Sequence, residues 1–164
     1  MSTYILIVVY LVINGKGSGY KSFDQKQFDD YIKQMEDITG RKLTQSQIDE
    51  LRNVLVNNEY SVVSRSQLDS SRAEFNRLKS KLISDWEINT NQQWPVYAED
   101  VVNAEGKITR YAGQPYDAHH IIELSNGGDN AWWNIHPAGF PYEHQAGIHG
   151  AGSIANEIFR KKGE

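Results

Sequence analysis

All five histidines of this 164-residue chain fall between His119 and His149, and none precedes them. Whatever fold the chain adopts must therefore gather its imidazoles in one region. Imidazole is well suited both to holding a borderline transition metal and to moving protons near neutral pH. A lone His-His pair would be a weak signal, because buried core histidines are common. Here the pair His119-His120 is followed by Gly127-Gly128, Asn134, His144 and His149. That combination points to a metal site rather than coincidence. The chain has no cysteine, so disulfides and thiolate ligands are excluded. Any metal must be held by His, Asp, Glu or Asn.

Such a set of residues suits phosphodiester hydrolysis. That reaction needs a deprotonated water, charge neutralisation on the phosphate and stabilisation of the departing oxygen. A divalent metal supplies the last two, and a neutral histidine the first. On a strand, His119 and His120 point to opposite sides, so one can bind metal while the other faces water. His144 and His149 lie five apart, over a third of a turn out of register on an ideal α-helix. They converge only if the segment is broken, and Gly147 offers the break. Three imidazoles suit Zn²⁺ or Ni²⁺. Mg²⁺ prefers oxygen and would need phosphate and Asp117. Asp117 reads as a ligand, a turn residue or, preferably, a partner that orients a histidine. His136, before Pro137, reads first as a structural histidine at a turn and second as a substrate contact, and Glu123 first as a strand-end surface charge and second as a contact of the metal shell. Trp132 and Trp133 read as packing beside Asn134.

The rest of the chain is expected to be α+β, with a helical N-terminal segment, a β-hairpin and a C-terminal metal core. Apolar spacing predicts a helix from Ser22 as N-cap to Gly40, carrying Phe28, Tyr31, Ile32, Met35 and Ile38. Thr44 to Gln47 fits a capping box opening a second helix that ends at Asn57-Asn58. A third, from about Ser66, carries Leu68, Phe75, Leu78 and Leu82. Composition changes near Asn89. Trp94 to Val102 and Ile108 to Tyr111 read as a hairpin around a glycine-containing turn. His119 to Leu124 reads as a strand, the Asn126-Gly-Gly-Asp-Asn130 stretch as a tight loop, and Ser153 to Arg160 as a final helix. Two parts follow: residues 1–89, an apolar strand and helical region of unassigned role, and residues 90–164. The run Tyr4 to Ile13 is too short to span a bilayer and lacks the flanks of a secretory signal, so stable membrane insertion is not expected.

The charge distribution sets a second constraint. Net charge is −4, and residues 111–159 contain no Lys or Arg but include Asp117, Glu123, Asp129, Glu143 and Glu157. Basic residues gather instead at Arg65, Arg72, Arg77, Lys79 and Lys81, at Lys107 and Arg110, and at the C-terminus. A polyanionic substrate would have to be met by these flanks and by the metal.

Asp117-x-His119-His120-Ile121, Gly127-Gly128, Asn134-Ile135 and His144 resemble the motif of the HNH, or ββα-metal (His-Me finger), nucleases. The likeness is to the bacterial polymorphic-toxin branch with an AHH/GHH-type signature, and covers about residues 95–160. It implies a hydrolase: a metal-dependent endonuclease cutting DNA phosphodiester bonds with low sequence specificity and leaving a 5′-phosphate. It implies His120 as general base, His119 and His144 as metal ligands, and His149 as an additional ligand, with one divalent ion (Zn, Ni or Mg). Asn134 is implied to fix the strand-loop geometry and to orient the base through a backbone carbonyl. The five-residue spacing and the missing basic residues depart from the family pattern. The resemblance further implies an antibacterial effector domain, delivered by a secretion system into a target cell and countered by an immunity protein. The metal touches phosphate and not the 2′-hydroxyl, so the residues do not separate DNA from RNA. Alternatives are a stand-alone phage or restriction-type HNH endonuclease, a membrane-active toxin working through residues 4–13 with a structural metal site, and a non-catalytic metal-stabilised binding module.

Overall fold

The computed structural model describes residues 24–58 and 60–159. It is α+β, with helices leading and short antiparallel strands following. Helix α1 (Gln25–Thr39) is capped by the side chain of Asp24, and Gly40 closes it in the left-handed conformation. The expected cap Ser22 and the apolar run 4–13 lie outside the described residues. Helix α2 (Gln45–Asn57) starts at Thr44, whose hydroxyl accepts from the Gln47 amide. The second half of the expected capping box does not form there. Gln47 is fully buried and its Nε2 donates instead to the carbonyls of Trp133, at 3.1 Å, and Ile135, at 2.8 Å. Helix α3 (Arg65–Thr90) carries a complete capping box between Ser64 and Gln67.

The hairpin after α3 is present with short strands, β1 (Val101–Val102) and β2 (Ile108–Arg110). Its turn runs through Asn103 and Gly106. Strand β3 (Asp117–His120) pairs antiparallel with β4 (Ile135–Ala138), setting His119 opposite His136 and His120 opposite Ile135. The strand expected over 119–124 therefore starts two residues earlier and stops at His120. The reason is Asn134: its Oδ1 accepts from the Ile122 amide at 2.7 Å, so a side chain takes the place of a strand partner. The chain then bends, burying Ile121 and Ile122 together. Gly128 sits where a Cβ would stand 1.8 Å from the Ile122 carbonyl oxygen, an approach open only to glycine. The last helix, α4 (Ile154–Phe159), begins one residue after Ser153.

The β3–β4 pair lies between helices. Tyr31 of α1 meets His119, and Thr39 meets His136, so this side of the pair faces α1. Ala118 and Ile135 pack with Leu82, Trp86 and Trp94, and His120 packs on Phe75, so the other side faces α3. Trp133 joins the α1-side core and Trp132 the α3-side core. The α1-side core unites Phe28, Tyr31, Met35 and Leu51 with Ile121, Ile122, Ile148 and Ala155. Apolar residues from before and after position 90 thus share one interior, burial that stabilises by roughly 25 cal/mol per Å². Among the described residues, no helix is long and apolar enough to cross a membrane.

Candidate metal centre

Three of the five histidines converge. One ring nitrogen from each of His119, His144 and His149 lies within 4.8 Å of the others. Their ring centroids are 5.0 to 5.5 Å apart. Around a tetrahedral ion with bonds of about 2.0–2.1 Å the donor nitrogens stand roughly 3.4 Å apart, so modest closure would suffice.

The spacing of five is solved by a wide helical turn rather than by a break. Residues Tyr142–Ile148 form a π-helical turn. The His149 amide donates to the His144 carbonyl at 3.1 Å, an i→i+5 bond that brings the fifth residue round to the first. Gly147 does not interrupt this turn; it lets the turn touch α1. A Cβ there would lie 2.5 Å from Ile38 Cγ2 and 2.9 Å from the Tyr142 carbonyl oxygen. Arg41, just after α1, pairs with Glu143 at 2.7 Å and so ties the start of the turn to the helical region.

Each of the three imidazoles has a polar partner beside one ring nitrogen, as metal-binding histidines commonly do. Tyr31 Oη lies 2.7 Å from His119 Nε2 and donates to the Ile121 carbonyl at 3.1 Å. With the phenol proton given to Ile121, His119 Nε2–H donates to the phenol oxygen and Nδ1 is left for a metal. His144 Nδ1 stands 3.5 Å from Asp117 Oδ2, and His149 Nδ1 stands 3.4 Å from Glu123 Oε1. Glu123 thus stands beside a cluster histidine, the second of its two readings, rather than as a plain surface charge. Asp117 is gripped by Arg110 through two bonds of 2.8 Å. Burial alone would raise the Asp117 carboxyl, but Arg110 and His144 hold it well below the usual carboxylate range.

Burial pushes His119 well below the ordinary imidazole value, and the neighbouring histidines add to this. His149 is also lowered by burial and by His144, against the pull of Glu123. Neutral rings keep the lone pairs that coordination needs.

His120 occupies the other side of β3. Burial brings it down to about 4, opposed by its bond to Asn130. Its Nε2 lies 3.1 Å from Asn130 Oδ1. The Asn130 amide nitrogen donates to the Ser71 carbonyl and to Glu74, which assigns Oδ1 as the acceptor facing His120. His120 then carries its proton on Nε2 and holds an open lone pair on Nδ1. Asn134 is fully buried and binds both the Ile122 backbone and the Asp129 carbonyl. Its own carbonyl accepts from the Ile121 amide, so the group that orients the His120 ring is the Asn130 side chain. His136 is not in the cluster. It sits on β4 rather than at a turn, fully buried, with Nε2 2.8 Å from Thr39 Oγ1.

Tyr31 and Asn130 were thus invisible as site residues. Tyr31 shares its spacing with the core stripe of α1, and Asn130 looks like any loop asparagine. Only their partners, far away in sequence, distinguish them.

The chain is similar to Toxin YxiD of Bacillus subtilis (strain 168), with 53% identity over 131 residues, 79% of this chain and 23% of that protein. It is also similar to the Probable deoxyribonuclease RhsB of Dickeya dadantii (strain 3937), with 39% identity over 82 residues, 50% of this chain and 5% of that one. The chain therefore spans less than a quarter of the length of either relative. No family model matches it.

Proposed function

We propose that this chain is a metal-dependent endonuclease of the HNH, or ββα-metal, class that hydrolyses DNA with low sequence preference. In this reading β3 and β4 are the two strands of the motif, and the turn bearing His144 and His149 stands in place of its helix. Residues 90–164 are the nuclease domain, and the preceding helices its scaffold. The observation that carries the reading is that β3 bears both His119, a member of the three-imidazole cluster, and next to it an oriented His120.

A divalent ion on His119, His144 and His149 would neutralise the scissile phosphate and stabilise the leaving oxygen. His120 accepts the water proton at Nδ1, while Asn130 keeps the ring from turning. Tyr31, Asp117 and Glu123 hold the three ligands in their orientations. Neither carboxylate needs to touch substrate.

The names of the two relatives support a toxin that acts on DNA. We place the activity in a target cell reached through a larger delivering protein, with an immunity protein shielding the producer. Plasmid nicking with Zn²⁺, Ni²⁺ and Mg²⁺ tests the chemistry. Cleavage is expected with at least one of them and should vanish with chelator or in His120→Ala. Undiminished nicking in either case would sink the proposal.

A further inference from the structure

Beside the metal centre, α3, strand β2 and the start of β3 border an open cleft of about 540 Å³. That volume lies within the range of small-ligand sites, about 300–1,000 Å³. His144 and Asp117 stand at one margin, so the cleft opens directly onto the imidazole cluster. Phe75, Ile83 and Pro115 give it an apolar wall, and Phe75 also packs on His120 with ring centroids 4.6 Å apart. The same cleft therefore reaches both the ligand side and the base side of β3.

Its charge is unusual for this molecule. Residues 111–159 hold no Lys or Arg and the chain is acidic overall, yet Lys79 and Arg110 both line the cleft. Arg110 is already neutralised by its two bonds to Asp117. Lys79 is not. On α3, Arg65 and Lys81 each face a carboxylate one turn on, Asp69 and Asp85. The residue one turn after Lys79 is Ile83, and among the described residues no carboxylate lies within 4 Å of the Lys79 ammonium. Summed over Lys79, Arg110 and Asp117, the cleft carries one uncompensated positive charge, from a half-buried lysine on an apolar wall. Such an arrangement fits a ligand with one anionic group and one flat or apolar face.

We propose that this cleft seats a nucleotide of the substrate DNA strand next to the scissile phosphate. Lys79 pairs with the flanking phosphate, and the Phe75–Ile83–Pro115 wall meets the sugar and base. The proposal rests on the nuclease reading for what happens at the metal, but not for whether DNA binds. It also answers where an acidic motif finds its phosphate-binding charge: on a helix preceding the motif by some forty residues, not within it.

The test is fluorescence anisotropy of a short single-stranded DNA oligonucleotide on full-chain, Zn²⁺-loaded protein in the His120→Gln background, which removes the proposed base while keeping a side chain against Phe75. Lys79→Ala is expected to weaken binding about fivefold and to lower the slope of log K against log salt by about 0.7, the value of one phosphate contact on a single strand. Lys79→Arg should retain both. Arg72→Ala, on the same helix outside the cleft, should change neither. Unchanged melting of the half-exposed Lys79 variants guards against misfolding. Equal affinity and salt slope in Lys79→Ala and its parent, or an equal loss in Arg72→Ala, overturns the proposal. Hydrolysis of bis(4-nitrophenyl) phosphate by the unaltered protein probes the chemistry separately. If this diester is cleaved while Lys79→Ala binds DNA normally, the cleft assignment fails and the nuclease reading stands. If nothing is cleaved with any metal while Lys79→Ala loses its phosphate contact, the cleft remains a DNA site and the nuclease reading fails.

Discussion

On the side of the β3–β4 pair that faces α1, His119 and His136 are buried, and each has its Nε2 against a hydroxyl from that helix, Tyr31 and Thr39. On the side that faces α3, His120 is half-buried, rests on Phe75 and is held by one amide oxygen. The first side is built like an interior, the second like the wall of a cleft. A ligand set loses affinity if its nitrogens wander, so it profits from burial and from fixed tautomers. A base must meet a mobile water, so it needs one nitrogen held and the other open. In the proposed mechanism, adjacent residues of one strand meet both needs because the pleat sends them to different neighbours.

The largest effect should come from separating the two sides. His120→Ala is expected to reduce DNA cleavage by about 10²–10⁴-fold while zinc affinity, measured by calorimetry, stays near that of the parent. His119→Ala should lose both. Loss of zinc binding in His120→Ala would erase the distinction between the sides.

Tyr31→Phe sharpens the comparison from the other direction. Removing one hydroxyl should lower metal affinity by about 10–100-fold, with cleavage returning as metal is raised toward saturation. Cleavage that stays low at saturating metal would mean Tyr31 acts on more than the ligand.

Next in size is the seam between α1 and the π-helical turn. Gly147→Ala must push against Ile38 or the Tyr142 carbonyl, and should cost about 1–3 kcal/mol in urea unfolding. A neutral result would mean the turn can slide off α1 without penalty.

The last effect is confined to acid: destabilisation on the α1 side, absent at neutral pH. Burial brings His136 down to about 3 from an ordinary value near 6.5. The unfolded chain therefore binds an extra proton between these values. Its contribution to stability is intact above about pH 6.5 and is lost as pH falls toward 3, at about 1.4 kcal/mol per pH unit. In metal-free protein His136→Gln should flatten the melting-temperature profile in that window. An unaltered slope would place the acid sensitivity elsewhere.

The three long helices were readable from apolar spacing, and the cap at Thr44 from local chemistry, because both signals act within a few residues; the Ser64 cap, two residues before the expected start of α3, was not read. The imidazole cluster was readable because residue type alone marks it. The π-helical turn was not: periodicity arguments assume 3.6 residues per turn, and the wider turn is stabilised by contact with α1. Gln47 misled for a related reason. Its position three residues after Thr44 suits a capping box, but two carbonyls at Trp133 and Ile135 compete for the same amide. Asn130 and Tyr31 escaped because their roles are defined by distant partners, and for the same reason Glu123 read first as a surface charge.

The Tyr31–His119 bond joins residues 88 apart in sequence, and Thr39–His136 residues 97 apart. Strands β3 and β4, and the turn carrying His144, close over much shorter stretches of chain. Long loops cost more entropy to close and tend to be closed late. The capacity to coordinate metal should therefore be among the last properties acquired on refolding, after helix and hairpin are in place. In stopped-flow refolding a zinc indicator should lag the far-ultraviolet signal, and simultaneous traces would contradict this. A chain arriving unfolded would then stay chemically silent until its first helix had found its third strand.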